Sequence, residues 1–343
     1  MEIVFFSRRF YPQIGGVESH VLELCRKLVD HGHEITVITE YPLDHVEYKK
    51  LVDKFERINI LRIMGGGEGR LKKFRVWYKL FKIRKIIQNA DIIHCHDVFF
   101  WYLPFRFIYL TKKVFTTFHG YEGICPPKKS AIIMRKISEK LSKGNICVGD
   151  YISKWYGTRP DFVIYGGVRI TNDKLQITNN LIPRILLIGR LENDIGVQTY
   201  SHALGLLKQK KIKFIFKACG EGVLAGKLKK YGKVYRFTKK INNIIKQSDI
   251  VFVSSYLLIL EALIAKKIVI AVFENPLKED YLKMSPFSNF IFICKDASEI
   301  LEVMKDTKQN SWKNRAMIEN GYSWARNQTW EKIADTYLKL WKL

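Results

Sequence analysis

Several things are scarce in this chain. Among 343 residues there are six cysteines and nine prolines, and 33 acidic side chains stand against 58 basic ones. Cys25, Cys95, Cys125, Cys147, Cys219 and Cys294 are widely spaced and form no Cys-x-x-Cys pair. Several fall inside apolar segments, where a free thiol behaves as a small hydrophobe, so a reducing, cytoplasmic setting is expected. No apolar run reaches the ~20 residues that a membrane span needs. The longest, VFFWYLPFRFIYL, is interrupted by Pro104 and Arg106. The apolar start lacks a basic leader, so no secretory signal is expected. The shortage of acid leaves a net charge of +25, spread over both halves of the chain rather than held in one tail. Such a charge draws polyanions (anionic headgroups, nucleic acid, phosphorylated substrates) without specifying a fold.

What is present is the composition of a globular protein, 47% hydrophobic and 27% charged, at a length that suits two domains. Continuous apolar runs predict strands at Ile3–Phe6, Glu34–Thr39, Ile58–Ile63, Asp91–His94, Val114–Thr117 and Ile146–Val148. Helical patterns at Val17–His31, Leu71–Gln88 and Ala131–Leu141 alternate with them. Strand alternating with helix predicts βαβ units and a parallel, doubly wound sheet covered on both faces. The polar stretch Thr171–Pro183 reads as a linker. Beyond it the pattern repeats, with strands at Arg184–Ile188, Phe214–Ala218, Val234–Phe237, Ile250–Val253, Ile268–Ala271 and Phe290–Ile293, and a last helix at Trp330–Leu343. The expected fold is therefore α/β, with two Rossmann-like parallel-sheet domains. The first takes residues 1–168 and the second 169–326, and the helix over 327–343 packs back on the first. Ligands of open parallel sheets bind beyond the carboxyl ends of the strands. Two such sheets would line a central cleft with the loops after Phe6, Thr117, Ile188, Ala218 and Val253.

The loop SRRFYPQIGGVES joins a strand to a helix. Gly15 and Gly16 permit close backbone approach, and the helix start offers unpaired N–H groups to an anion. It is neither a Walker loop nor Gly-x-Gly-x-x-Gly. Glu261 stands in the otherwise apolar LLILEALIA, a costly place for a carboxylate unless it is paired or serves a ligand. His94, His96 and Asp97 in HCHD superficially suggest metal ligands. No third histidine follows at a telling spacing, and no metal is expected.

Taken together, YPQIGGVESHVLELCRKLVDHGHEITVIT, ADIIHCHD, TFHG, VIYGGV, IGRLENDIG, CGEG followed by QSDIVFVSS, and LEALIAKKIVIA resemble the retaining glycosyltransferases of family 4. The resemblance runs over nearly the whole chain. It implies the two-domain GT-B fold and transfer of a sugar from a nucleotide-diphosphate sugar to a hydroxyl, without a bound metal or further cofactor. It implies that Gly15 and Gly16 place a backbone amide near the donor phosphate and that His119 of TFHG faces the donor sugar. Arg190 of IGRL would neutralise the leaving diphosphate. Glu261 would hold the ribose hydroxyls. Ser254 and Ser255 would cradle phosphate at the next helix start, beside the glycine turns at Gly189 and Gly220.

Two departures from that family stand out. Ile195 occupies the place where a lysine is expected after the arginine, so the second diphosphate cation is missing unless another base such as Lys217 substitutes. Of the two glutamates expected seven residues apart, only Glu261 remains. Residues 70–85, RLKKFRVWYKLFKIRK, hold eight basic side chains and no acidic one. A helix there puts Leu71, Phe74, Tyr78 and Phe81 on one stripe, with Trp77 and Leu80 beside it. It is either an anionic-membrane interface helix or an ordinary domain helix with that stripe in the core. The function expected is glycosyl transfer to a lipid-linked glycan or glycolipid at the cytoplasmic face of a membrane. The alternatives are a degraded pseudo-glycosyltransferase partner subunit and glucosylation of nucleic acid, with no specific nucleic-acid partner expected.

Overall fold

A computed structural model describes residues 1–42, 50–64, 69, 71–120, 123–170, 182–238, 241–309 and 311–342. The chain divides into two compact units. Unit 1 is Met1–Ile164 with Trp330–Leu343, and unit 2 is Tyr165–Thr329. The divisions thus fall at Ile164 and Thr329, where 168 and 326 were expected.

Among the described residues, unit 1 carries eight strands: β1 (Glu2–Ser7), β2 (Glu34–Glu40), β3 (Val52–Phe55), β4 (Ile58–Ile63), β5 (Ile92–His96), β6 (Lys113–Phe118), β7 (Gly144–Val148) and β8 (Phe162–Ile164). Their order is β3-β4-β2-β1-β5-β6-β7-β8. All neighbours are parallel except β3, which runs antiparallel to β4. The helices are α1 (Gly16–Asp30), α2 (Lys72–Lys82), α3 (Arg84–Asn89), α4 (Phe99–Ile108), α5 (Lys129–Leu141) and α6 (Tyr151–Tyr156). Because crossovers are right-handed, the step from β1 to β2 puts α1 on one face, and the steps from β4 through β7 put α2 to α5 on the other. The packing agrees: Val4, Phe6, Ile93 and Cys95 form one core with Val76, Leu80, Ile87, Trp101 and Phe105. Strand alternation then turns His94 and His96 to the α1 face.

Unit 2 repeats the scheme with six described strands, β9 (Arg184–Ile188), β10 (Ile215–Cys219), β11 (Gly232–Tyr235), β12 (Ile250–Phe252), β13 (Ile268–Val272) and β14 (Phe292–Cys294). Their order is β11-β10-β9-β12-β13-β14, parallel throughout. The helices are α7 (Val197–Gln209), α8 (Ala225–Leu228), α9 (Ile241–Lys246), α10 (Tyr256–Ile264), α11 (Pro276–Lys283), α12 (Ala297–Gln309) and α13 (Ser311–Ala325). The chain lays β10 and β11 on one side of β9, then returns to add β12 on the other. That reversal makes the carboxyl ends of β9 and β12 a topological switch point. The last helix, α14 (Trp330–Lys342), packs against α1 and buries Trp330, Ile333, Tyr337, Leu340 and Trp341 in unit 1.

Five elements differ from the sequence expectation. The helix expected over Leu71–Gln88 is two helices, α2 and α3, parted at β-branched Ile83, whose N–H closes the end of α2 on the Leu80 carbonyl. The apolar run after Asp97 forms α4, with Pro104 inside it. The short strands β3 and β8 lie at the sheet edges, where little apolar patterning is needed. Thr171–Pro183 lies outside the described residues except for Ile182 and Pro183.

Candidate active site

The polar centre of unit 1 gathers at the carboxyl ends of β5 and β6. His20 from α1, His94 and His96 from β5, and His119 just beyond β6 are all buried. Their hydrogen bonds fix a direction. The Trp341 indole N–H can only donate, and it donates to His94 Nδ1 at 3.0 Å. His94 therefore carries its proton on Nε2 and gives it to the Thr117 hydroxyl at 2.7 Å. The Thr117 and Tyr337 hydroxyls lie 2.9 Å apart and Tyr337 Oη lies 3.1 Å from His20 Nε2, so the chain can run on from Thr117 through Tyr337 to His20. Both ring nitrogens of His94 are thus committed within the protein.

His119 lies beside this chain. Its Nε2 is 2.8 Å from His96 Nδ1, and its ring meets His20 edge-on at 4.8 Å between centroids. The opposite nitrogen of His96 is buried with no partner among the described residues. A bare lone pair there costs less than a buried unpaired N–H, which favours His96 as donor and leaves His119 with its proton on Nδ1. The His119 backbone N–H donates to the Asp97 carboxylate at 3.0 Å, and Asp97 holds a left-handed backbone (φ 59°) to receive it. Burial, with the Arg135 guanidinium nearby, pushes His119 down to about 3. His119 is thus a neutral imidazole at any physiological pH, able to donate but not to carry charge. Nearby, Gly15 caps α1 and Gly16 is its first residue. A side chain on Gly15 would collide with the Glu18 carboxylate, whereas Gly16 has open space.

In unit 2 the loops after β9, β10 and β12 meet at the switch point. Gly189 N–H bonds to the Cys219 carbonyl at 3.2 Å, and Leu191 N–H to the Glu221 carbonyl at 2.7 Å. Gly220 packs so tightly on Gly189 that any β-carbon would strike the Gly189 carbonyl oxygen. These glycines shape the turn that presents Arg190. The Arg190 guanidinium is largely exposed and pairs with Asp194 at 2.5 Å. Ser255 caps α10, and Glu261 sits half-buried on that helix. The Ser254 hydroxyl faces inward: Val272 N–H donates to it at 3.0 Å, and the Tyr200 hydroxyl lies 2.9 Å away. It holds β12 to β13 instead of presenting an oxygen outward. Lys217 lies within β10 and reaches Gln247 at 3.3 Å, so it does not stand at the switch point beside Arg190. Sequence reasoning passed over Lys278, which does. Its signal was a lysine in the first turn of a helix following a strand, among many lysines.

Comparison with known proteins places this geometry. Residues 14–171 match the model of Glycosyltransferase Family 4. A phosphatidylinositol N-acetylglucosaminyltransferase gpi3 subunit from Schizosaccharomyces pombe is 31% identical over 87 residues, 25% of this chain. The chain covers only 19% of that relative's length. Solved structures match over almost the full chain at low identity. A glycosyltransferase from Rickettsia africae has a TM-score of 0.72 at 19% identity, covering 99% of this chain and 97% of its own. Anabaena HepE, solved in complex with UDP, also has a TM-score of 0.72, at 14% identity and 99% coverage of both chains. The two parallel-sheet units are thus those of the GT-B fold, and residues 14–171 are similar to Glycosyltransferase Family 4.

Proposed function

We propose that the protein is a retaining, metal-independent glycosyltransferase that moves a sugar from a nucleoside-diphosphate sugar to a hydroxyl of a lipid-linked glycan or glycolipid. The observation that carries the donor half is the switch point of unit 2. There an exposed cation (Arg190) and a helix start (Ser255) share one end of the sheet, with a half-buried carboxylate (Glu261) on that helix. In the transfer, the bond from the anomeric carbon to the diphosphate oxygen breaks and a bond to the acceptor oxygen forms. The acceptor's proton leaves with the diphosphate or to solvent. Negative charge grows on the leaving diphosphate, and Arg190 stabilises it there. Glu261 accepts hydrogen bonds from the ribose hydroxyls. His119, held neutral, donates to a sugar hydroxyl without repelling or attracting charge, and Gly15 and Gly16 leave α1's first N–H groups open to phosphate.

The acceptor half rests on the surface of unit 1. Leu71, Phe74, Tyr78 and Phe81 form the outward stripe of α2, with Leu71 65% and Tyr78 60% exposed, while Val76 and Leu80 face the core. Lys73, Lys82 and Arg84 lie over the rings of Phe74, Tyr78 and Phe81. Phe107, Ile108 and Leu110 at the end of α4, and Ile133, Met134 and Ile137 on α5, are exposed on the same side of the sheet. Apolar rings ringed by cations match an anionic lipid surface, and the partner expected is that surface. The fission-yeast relative, named for transfer to phosphatidylinositol, supports a lipid acceptor. No described helix is long and apolar enough to cross a membrane.

The experiment is a thermal-shift series with UDP-, GDP-, dTDP- and ADP-sugars, without and then with divalent metal. Ligand binding to the folded state raises its melting temperature by mass action. One nucleotide series is expected to raise it without metal, and Glu261→Ala is expected to abolish that shift while its own unliganded melt stays cooperative. No shift with any donor removes the enzymatic reading in favour of a non-catalytic partner subunit. Vesicles with and without anionic lipid test the surface: binding should require the anionic component and fall with salt.

A further inference from the structure

Lys278 is a buried cation at the switch point with no ion-pair partner among the described residues. It lies in the first turn of α11, is only 7% exposed, and is carried by a helix that Asn275 caps through its side chain. Its ammonium donates to the Ser254 carbonyl at 2.5 Å and lies 3.7 Å from the Tyr281 ring centroid. That accounts for one of three donors and one face. No carboxylate among the described residues comes within ion-pair distance of it. The charges acting on it are Asp194, which is already paired with Arg190, and Arg190 itself, which repels it. Two cations therefore act on Asp194 at the carboxyl ends of β9, β12 and β13, where Glu274 also lies close enough to act on Asp194. A buried cation is costly unless paired, and the partners of Lys278 are a carbonyl and a ring, not a carboxylate.

We infer that Lys278 is the second cation of an anion site in unit 2 and grips, together with Arg190, the diphosphate of the donor. Its identity as a donor diphosphate rests on the glycosyltransferase reading; the anion site itself rests on the geometry. The residue expected to serve this purpose, after the arginine, is Ile195, whose side chain packs over Gly189. The missing charge arrives instead from α11, two strands across the sheet, and enters from beneath Ser254. Burial pushes Lys278 down to about 7, so the free protein carries it part-neutral and an incoming anion favours its protonated form. Unit 2 supplies its own control. Lys267 is also buried and also donates to a backbone carbonyl, that of Lys246 at 2.9 Å. It precedes β13, at the opposite end of the sheet, beside the Arg184–Asp249 pair.

The test measures binding of inorganic pyrophosphate and of UDP, GDP and ADP to the full chain by calorimetry. The variants are Lys278→Met, Lys267→Met and Asp194→Asn. Lys278→Met is expected to weaken pyrophosphate by about tenfold or more, the worth of a charge-assisted bond to an anion. Lys267→Met is expected to leave it unchanged. Asp194→Asn, which frees both cations, is expected to tighten it by roughly threefold. Equal affinities of wild type and Lys278→Met overturn the inference. So does an equal loss in Lys267→Met, which would mark a general effect on unit 2. Should Lys278→Met melt too low to assay, Asp194→Asn decides, and no gain there overturns the inference. A wild type that binds pyrophosphate but no nucleotide keeps the anion site and removes the donor reading. One that binds a nucleotide indifferently to Lys278→Met keeps the donor reading and removes Lys278 from it. A wild type that binds none of these probes removes both.

Discussion

Unit 1 buries His20, His94, His96 and His119, and unit 2 buries Lys278, and the two sites handle their polarity differently. In unit 1 the groups are held neutral and mostly satisfied by one another, in a chain from Trp341 through His94, Thr117 and Tyr337 to His20. In unit 2 a cation is buried beside another cation, and both act on the Asp194 carboxylate. A self-satisfied network is a scaffold; it fixes ring orientation, as it does for His119, and asks nothing of a ligand. An unbalanced one is relieved either by loss of the lysine's proton or by a ligand of opposite charge, and the ligand restores the proton. The contrast is between two sites, a neutral hydrogen-bonded one at the histidines and a charged one at Lys278; elsewhere unit 1 buries charge too, at Arg62 and Arg135.

The strongest way to break that comparison is acid. The four buried histidines His20, His94, His96 and His119 are pushed below their ordinary value, first by burial and then by neighbouring charges. The unfolded chain protonates them near pH ~6.5 while the folded chain does not, so stability is full above that value and falls as pH drops below it. One such group costs up to about 1.4 kcal/mol per pH unit, and four steepen the loss several-fold. Pulse proteolysis at pH 8 and pH 5, read by the masses of surviving fragments, should show unit 1 cut first at pH 5. First cleavage within 165–329 would contradict the comparison. A smaller effect follows from opening the chain at one link. Tyr337→Phe keeps the buried ring but leaves His20 Nε2 and the Thr117 hydroxyl short of a partner. The expected loss is about 1–3 kcal/mol by urea denaturation at pH 8. An unchanged midpoint would mean the chain of bonds does not hold α14 in place.

The repeated βαβ pattern and nearly every interior strand were legible in the sequence, because buried parallel strands are continuous apolar runs and loops at strand ends are predictable places for ligands. Of the edge strands, β3 (VDKF) carries no such run, and the run in β8 (FVI) is only three residues long. The face of α2 was not legible either. Leu71, Phe74, Tyr78 and Phe81 form the more aromatic stripe, and periodicity alone cannot say that Val76 and Leu80 take the core instead. At the candidate site, Arg190, Ser255 and Glu261 could be placed by position after strands and on the helix that follows. The inward turn of the Ser254 hydroxyl and the reach of Lys278 could not, since both depend on side-chain contacts between elements far apart in sequence. The histidine chain was half legible: HCHD and TFHG were visible, but their partners Tyr337 and Trp341 come from the last helix.

The smallest effect sharpens the other side of the comparison. Lys278 sits at about 7 in the folded chain and near 10.5 when exposed, so between those values the unfolded chain binds the extra proton. The lysine's contribution to stability therefore declines as pH falls from about 10.5 to 7 and is flat below. Lys278→Met removes the titrating group and keeps most of the volume. Its stability relative to wild type should rise as pH falls through that window, and at pH 7 it should equal or exceed wild type by ~1 kcal/mol, despite the lost bond to Ser254. A variant clearly less stable than wild type at pH 7 would make Lys278 a structural strut. The same variant with pyrophosphate present should lose that advantage, because the anion stabilises the wild type more. Stability given up by the free protein and recovered on binding is what separates a ligand-facing charge in unit 2 from the self-contained histidines of unit 1.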